Sequence, residues 1–110
     1  MIYLASPYIS QEQTAHHIRY HHACRSAAKL IEQGHVVFSP IAHSHGIARF
    51  IKEHDHDFWM NQDLPFLKYA DKIVVLTLPG WEKSRGIKEE IEFANKNGIP
   101  VEYMEPENER

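Results

Sequence analysis

The chain has one cysteine, Cys24, so neither an intrachain disulfide nor a cysteine-built zinc site can form. A reducing, cytoplasmic setting is the expectation. Positive charge is also short: 12 basic residues against 15 acidic ones leave a net charge of −3. A protein that binds nucleic acid by neutralising phosphates is normally basic, so that class is disfavoured near neutral pH. Nine histidines qualify this, because protonating all of them would carry the balance to about +6. No apolar run approaches the ~20 residues of a membrane span. The opening MIYLASPYIS lacks a basic leader and a small-residue cleavage site, and it reads as a first strand. Repeats and low-complexity stretches are missing as well.

What is present suits one globular domain. The 110 residues are 43% hydrophobic and 25% charged, a balance that excludes disorder and allows a core without covalent staples. We expect a single domain over residues 1–104 and a polar tail over 105–110. Four short apolar runs read as strands: Ile2–Ala5, His35–Ser39, Ile73–Leu78 and Pro100–Met104. Ile73, Val74, Val75 and Leu76 are apolar without alternation, as in a strand buried on both faces of a parallel sheet. Three segments between the strands read as helical. Gln11 to Gln33 carries Ala15, Ile18, His22, Ala23, Ala27, Leu30 and Ile31 near one stripe, ended by Gly34. Phe50 to Tyr69 contains Pro65, expected at a helix start or a break. Ser84 to Asn97 has Ile87, Ile91, Phe93 and Ala94 on its apolar side.

This alternation implies an α/β fold, a flavodoxin- or Rossmann-like three-layer sandwich. Its parallel sheet should have four to five strands in the order 2-1-3-4. Ligands in such sheets bind at the carboxyl ends of the strands, near the reversal of strand order. Three loops meet that description: Ala5–Gln11, Ser39–Gly46 and Leu78–Gly86. The last runs from the most buried strand into a helix whose first amides suit an anion. Ser84 and Arg85 add a hydroxyl and a guanidinium there, a pair that fits phosphate. A capping serine beside a solvated arginine explains the same residues.

Glu90 lies one turn beyond Gly86 and shares its side of the helix, whereas Glu92 points about 200° away from Glu90. A glutamate so placed can act as a nucleophile or as an electrostatic stabiliser. Asp63, in Trp59-Met60-Asn61-Gln62-Asp63-Leu64, offers a second carboxylate for acid/base work at a glycosidic bond. It equally suits the cap of a helix holding Pro65, Phe66 and Leu67. Tyr3 and Tyr8 flank the end of the first strand, the former within reach of the site and the latter able to stack on a base. Core packing for Tyr3 and surface exposure for Tyr8 are the plainer alternatives. His43 and His45 lie on the second loop and are candidate ligand contacts. Of the other histidines, His17 and His21 at i, i+4 could chelate zinc, but a catalytic site needs a correctly placed third ligand, and neither they nor the His54-Asp55-His56-Asp57 run reproduces HExxH or another specific spacing. No metal site and no cofactor are expected.

MIYLASPYI, GHVVFSPIAHSH, NQDLPFLKYADKIVVL and GIKEEIEFANKNGIPV together resemble the nucleoside 2-deoxyribosyltransferase-like superfamily. The resemblance spans about residues 1–103. Its most specific parts are the Q-D-L…A-D-x-V-V-x-L stretch and the G-x-x-x-E-x-x-x-A stretch met by Gly86, Glu90 and Ala94. It is nearest to a short phage and bacterial branch. The resemblance implies Glu90 as nucleophile, Asp63 as the aspartate serving the base or a sugar hydroxyl, and Tyr3 as the residue orienting the nucleophile. It also implies retaining transfer through a glycosyl-enzyme ester, with a homodimer or higher homo-oligomer completing the site.

Transferases acting on free nucleosides often have an aspartate six positions before the nucleophile. Here Ser84 stands there, as in the similar nucleoside 5′-monophosphate N-glycosidases. The expected activity is therefore hydrolysis of a (deoxy)nucleoside 5′-monophosphate, with Ser84, Arg85 and Gly86 at the phosphate. Pro7, Tyr8, Ile9, His43 and His45 would surround the base. Base exchange by a deoxyribosyltransferase is the close alternative. A catalytically silent nucleotide-binding module is another, favoured by Glu92 where active relatives carry glycine and by the charged Lys88 and Glu89. A histidine-dependent metallohydrolase has the least support.

Overall fold

The computed structural model describes residues 1–8 and 13–107. Strand β1 (Ile2–Ala5) is followed by helix α1 (Gln13–Glu32), strand β2 (Val37–Phe38), helices α2 (Pro40–Ala48) and α3 (His56–Lys68) and strand β3 (Lys72–Leu76). A single 3-10 turn (Trp81–Lys83), helix α4 (Arg85–Lys96) and strand β4 (Val101–Met104) complete the chain. The four strands form one parallel sheet in the order β2-β1-β3-β4, the order the sequence predicts.

The two-residue period of the strands divides the core into two layers. Tyr3, Ala5, Ile73 and Val75 point to one face, where they pack with Leu67 of α3 and Ile87 and Ala94 of α4. Ile2, Leu4, Val74 and Leu76 point to the other and meet Ala27 and Leu30 of α1. The in-register pairs Tyr3 with Ile73 and Ala5 with Val75 keep like faces together across β1 and β3. This places β1 and β3 in the middle of the sheet, with their carboxyl ends side by side.

Several boundaries differ from the sequence expectation. β2 shrinks to two residues, and β3 stops at Leu76, where the Leu78 amide turns back to the Leu76 carbonyl. The segment expected as the loop Ser39–Gly46 is mostly helix α2. Ser39 caps it by accepting from the Ala42 amide at 3.1 Å, and Pro40 fills the first helical position. The helix expected from Phe50 begins at His56. Asp55 is its cap, accepting from the Phe58 amide at 2.9 Å. Asp63 is therefore not a cap, since it sits inside α3. Pro65 neither starts nor breaks α3. Leu64 and Leu67 pack against the core on either side of it and hold the final turn in place. On α1, Ala23, Ala27 and Leu30 are buried, but Ile18 and Ile31 are exposed. The expected helix start at Gln11, the side chain of Ala15, and residues Ile9 and 108–110 lie outside the described residues. The tail is held as far as Glu107, which pairs with Lys29 at 3.1 Å and Arg25 at 3.7 Å. No helix among the described residues is long and apolar enough to cross a membrane.

α1 and α4 end alike. Gly34 (φ 97°) and Gly98 (φ 69°) adopt left-handed backbone conformations. The amides of His35 and Ile99 then reach back to the carbonyls of Leu30 and Ala94, closing the last turn. A Cβ on Gly34 would meet nothing within 4 Å, so a substitution there is penalised by backbone conformation alone. Gly34→Ala is expected to lower unfolding free energy by about 1–2 kcal/mol in urea titration, without altering the fold. An unchanged midpoint would contradict the assignment of this turn.

Candidate active site

A cavity of about 670 Å3 opens where the carboxyl end of β1 meets α2, α3 and the start of α4. Glu90 and Asp63 line it, and Tyr3 is bonded to Glu90 from beneath. Tyr3 is fully buried on β1, with its hydroxyl donating to Oε2 of Glu90 on α4. Asp63 of α3 faces the same cavity, and both carboxyl residues are buried. The Oδ1 of Asp63 has no hydrogen-bond partner among the described residues, and neither has the hydroxyl of Ser6. Both residues line the cavity, and a buried polar atom without a partner is costly unless a ligand supplies one.

Burial decides the protonation of this group. It pushes the Glu90 carboxyl up to about 8; the Tyr3 hydrogen bond opposes this, while nearby Asp63 and Glu89 reinforce it. Burial also lifts Asp63 to about 7. The Tyr3 hydroxyl is raised well above its ordinary value by burial, and by Glu90 and Asp63 beside it. Near neutral pH the pair thus retains protons that exposed carboxyls would have lost. A pair of this kind has one member able to give a proton and another able, once ionised, to attack.

The α4 entrance forms the second wall. Ser84 caps α4, its hydroxyl oxygen accepting from the Ile87 amide at 3.2 Å, so the hydroxyl proton is left for another acceptor. Arg85 is two-thirds exposed and donates from Nε to Glu89 at 3.2 Å; its guanidinium also lies 3.8 Å from Asp57. The nearest neighbours of a methyl group on Gly86 would be His56 Cε1, Met60 Cε and Ser84 Oγ, each at 3.9 Å.

Tyr8 and His45 form the far wall. The Tyr8 hydroxyl and His45 Nδ1 are 2.7 Å apart, and the Tyr8 ring stacks on His16 at 4.9 Å. His45 stacks on Tyr20 at 4.0 Å. Burial lowers the His45 pKa, and His17 and His16 add to this. Not every expected contact lines the cavity. His43 is exposed on α2, its ring 5.4 Å from Phe38, because the helix turns it away from its neighbour His45. Pro7 is fully buried behind the wall.

Residues the sequence reading did not select include Ser6, His16, His56, Trp59 and Met60. For α3 a signal existed. His56, Trp59, Met60 and Asp63 follow an i, i+3, i+4, i+7 spacing and share one helical face. That stripe becomes readable once Asp55 is recognised as the cap. Among the described residues, no group of three or more His, Cys, Asp or Glu is arranged to hold a metal ion.

The fold has a known counterpart. The chain belongs to the family described as a domain of unknown function, DUF1937, whose sequence model matches residues 1–106. The fold is similar to that of a solved 2-deoxyribosyltransferase from the psychrotolerant bacterium Bacillus psychrosaccharolyticus, with a TM-score of 0.66 and 24% identity. That match covers 99% of this chain and 74% of the other. No curated protein matches the chain.

The raised carboxyls have a consequence for stability. Folded Glu90 and Asp63 hold protons that the unfolded chain releases above about pH 4–5, so their contribution falls as pH rises through about 7 and 8. Glu89 and Asp71, with lowered values, contribute in the opposite direction and at lower pH. Glu90→Gln is therefore expected to lose less stability than the parent between pH 5 and pH 9, as followed by urea unfolding. Parallel profiles would show that Glu90 is not held protonated.

Proposed function

We propose that the protein cleaves the N-glycosidic bond of a (deoxy)nucleoside 5′-monophosphate, with Glu90 as nucleophile. The observation that carries this reading is the Tyr3 hydroxyl donating to a buried Glu90 that lines a cavity together with Asp63. Tyr3 fixes one oxygen of Glu90, which leaves the other to approach the anomeric carbon. The reacting form of the pair carries one proton: Glu90 has lost its own to solvent and Asp63 keeps its own, so Glu90 attacks as carboxylate, the bond to the base breaks and its electron pair leaves with the base. Asp63 supplies the proton that the departing nitrogen needs. Water then attacks the anomeric carbon of the ester, Asp63 takes a proton from it, and Glu90 leaves as carboxylate. The sugar phosphate is released with retention.

Ser84 and the first amides of α4 supply donors for the 5′-phosphate, and Arg85 stands at the rim. Tyr8 and His45 offer an aromatic wall for the base. A second reading is exchange of one base for another in place of hydrolysis. It is favoured by the shared fold with a 2-deoxyribosyltransferase. An acceptor base would then do what water does in the first reading.

Chromatography of free base from ribo- and deoxyribonucleoside 5′-monophosphates, beside the free nucleosides, tests the proposal. Base should appear from monophosphates without any acceptor base, and Glu90→Ala should reduce the rate at least about 1,000-fold. Release that requires an acceptor base would select the exchange reading. Release from nucleosides alone would remove the phosphate role of Ser84. The same assay tests Gly86. An alanine there fits sterically and favours helix by up to about 1 kcal/mol. Gly86→Ala is expected to keep or raise Tm while increasing KM, because the methyl occupies space needed by the substrate. An unchanged KM would place the substrate elsewhere.

A further inference from the structure

We infer that His56 is a substrate-binding residue, a largely sheltered imidazole donor for the anionic 5′ end of the substrate at the α4 end of the cavity. This rests on the monophosphate reading above and adds a residue to it. His56 belongs to none of the three loops at the carboxyl ends of the strands. It occupies the first position of α3 and crosses to α4, where its Nε2–H donates to Glu89 Oε2 at 2.8 Å. Its side chain is only 12% exposed, against 67% for Arg85.

Three observations place it at the anion. First, His56, Ser84 and Gly86 all line the same cavity. Second, His56 Cε1 and Ser84 Oγ lie equally close, at 3.9 Å, to the position of a methyl group on Gly86. The imidazole therefore borders the space above the first turn of α4. Glu90 lies one turn further along, so the imidazole is at the far end from the reacting carbon. Third, the cavity also contains the unpartnered Asp63 Oδ1 and Ser6 hydroxyl, both buried, which marks it as a site that awaits a polar ligand.

The hydrogen bond to Glu89 leaves Nδ1 as the one free nitrogen of the ring. In the imidazolium form Nδ1–H is a second donor, able to meet an anion. The start of α3 opposes a cation through its dipole. Glu89, Asp55 and Asp57 surround this helix start with negative charge and offset the dipole. The His56 hydrogen bond in turn holds the Glu89 carboxyl below the usual range, with Arg85 helping. Arg85 is tied to Glu89 and Asp57 in a wetter position, where a charge acts more weakly on a ligand. His56 is thus the side-chain donor with the drier position.

The test compares the parent with His56→Gln, which keeps a donor for Glu89 and lacks the charge; His56→Asn is the second variant. Thermal unfolding confirms that each folds. The readout is the ratio of kcat/KM for a nucleoside 5′-monophosphate to that for the matching nucleoside. It is expected to fall about tenfold, the effect of one charge-assisted hydrogen bond. For a parent that accepts the monophosphate alone, its KM should rise about tenfold. An unchanged ratio, or an unchanged KM in that case, would overturn the assignment, because a merely structural loss affects both substrates alike. If the parent releases base from neither substrate, the proposed activity fails and inorganic phosphate decides the point separately. Thermal stabilisation by phosphate in the parent that is lost in His56→Gln supports the role of His56. Equal shifts, or none in either protein, reject it.

Discussion

A single buried hydrogen bond joins the middle of the sheet to the helix that carries the candidate nucleophile. Tyr3 stands on β1, between β2 and β3, and its hydroxyl donates to Glu90 on α4. For this contact to form, β1 must face the α3/α4 layer with its odd-numbered residues. α4 must also begin close enough to β3 to place its second turn over Tyr3. The two-layer core satisfies the first condition, because Tyr3 and Ala5 pack with Ile87 and Ala94. The capped start of α4 at Ser84 satisfies the second. A one-residue slip in β1 would send Tyr3 to the α1 face and leave Glu90 buried without its donor.

The cavity combines two chemical environments along one helix. At the entrance of α4 there are amides, the Ser84 hydroxyl, His56 and Arg85, all suited to negative charge. One turn later stands Glu90, joined by Asp63 from α3, two carboxyl groups that burial keeps partly protonated. An anionic ligand anchored at the first would hold its neutral portion against the second. That separation is consistent with a substrate having a charged end and a reactive carbon a few bonds away. Binding energy gained at the charged end can then position the reacting bond.

Much of this was legible in the sequence. The unbroken apolar run Ile73–Leu76 identified the central strand, and the alternation of strands and helices gave the topology observed. Glu90 and Gly86 could be placed on one face of α4 from helical spacing alone. Other parts depended on tertiary placement. Whether Tyr3 reached Glu90 depended on how α4 lies on the sheet, which no local pattern contains. Helix α2 was missed because PIAHSHGIA has no clear apolar period, although Ser39-Pro40 is a normal helix start. His56 looked like part of a polar histidine run, and its burial follows only from the packing of α3 against α4. His43 and His45, two residues apart, looked equivalent until α2 turned one outward.

The proposed reaction requires that Glu90 form a covalent ester with the sugar. Rapid acid quench of the protein during turnover of a nucleoside 5′-monophosphate, followed by peptide mass spectrometry, tests it most directly. A sugar-phosphate adduct is expected on the peptide containing Glu90, formed with loss of the base and absent from Glu90→Gln. Base release with no adduct on Glu90, or with full activity in Glu90→Gln, would contradict it.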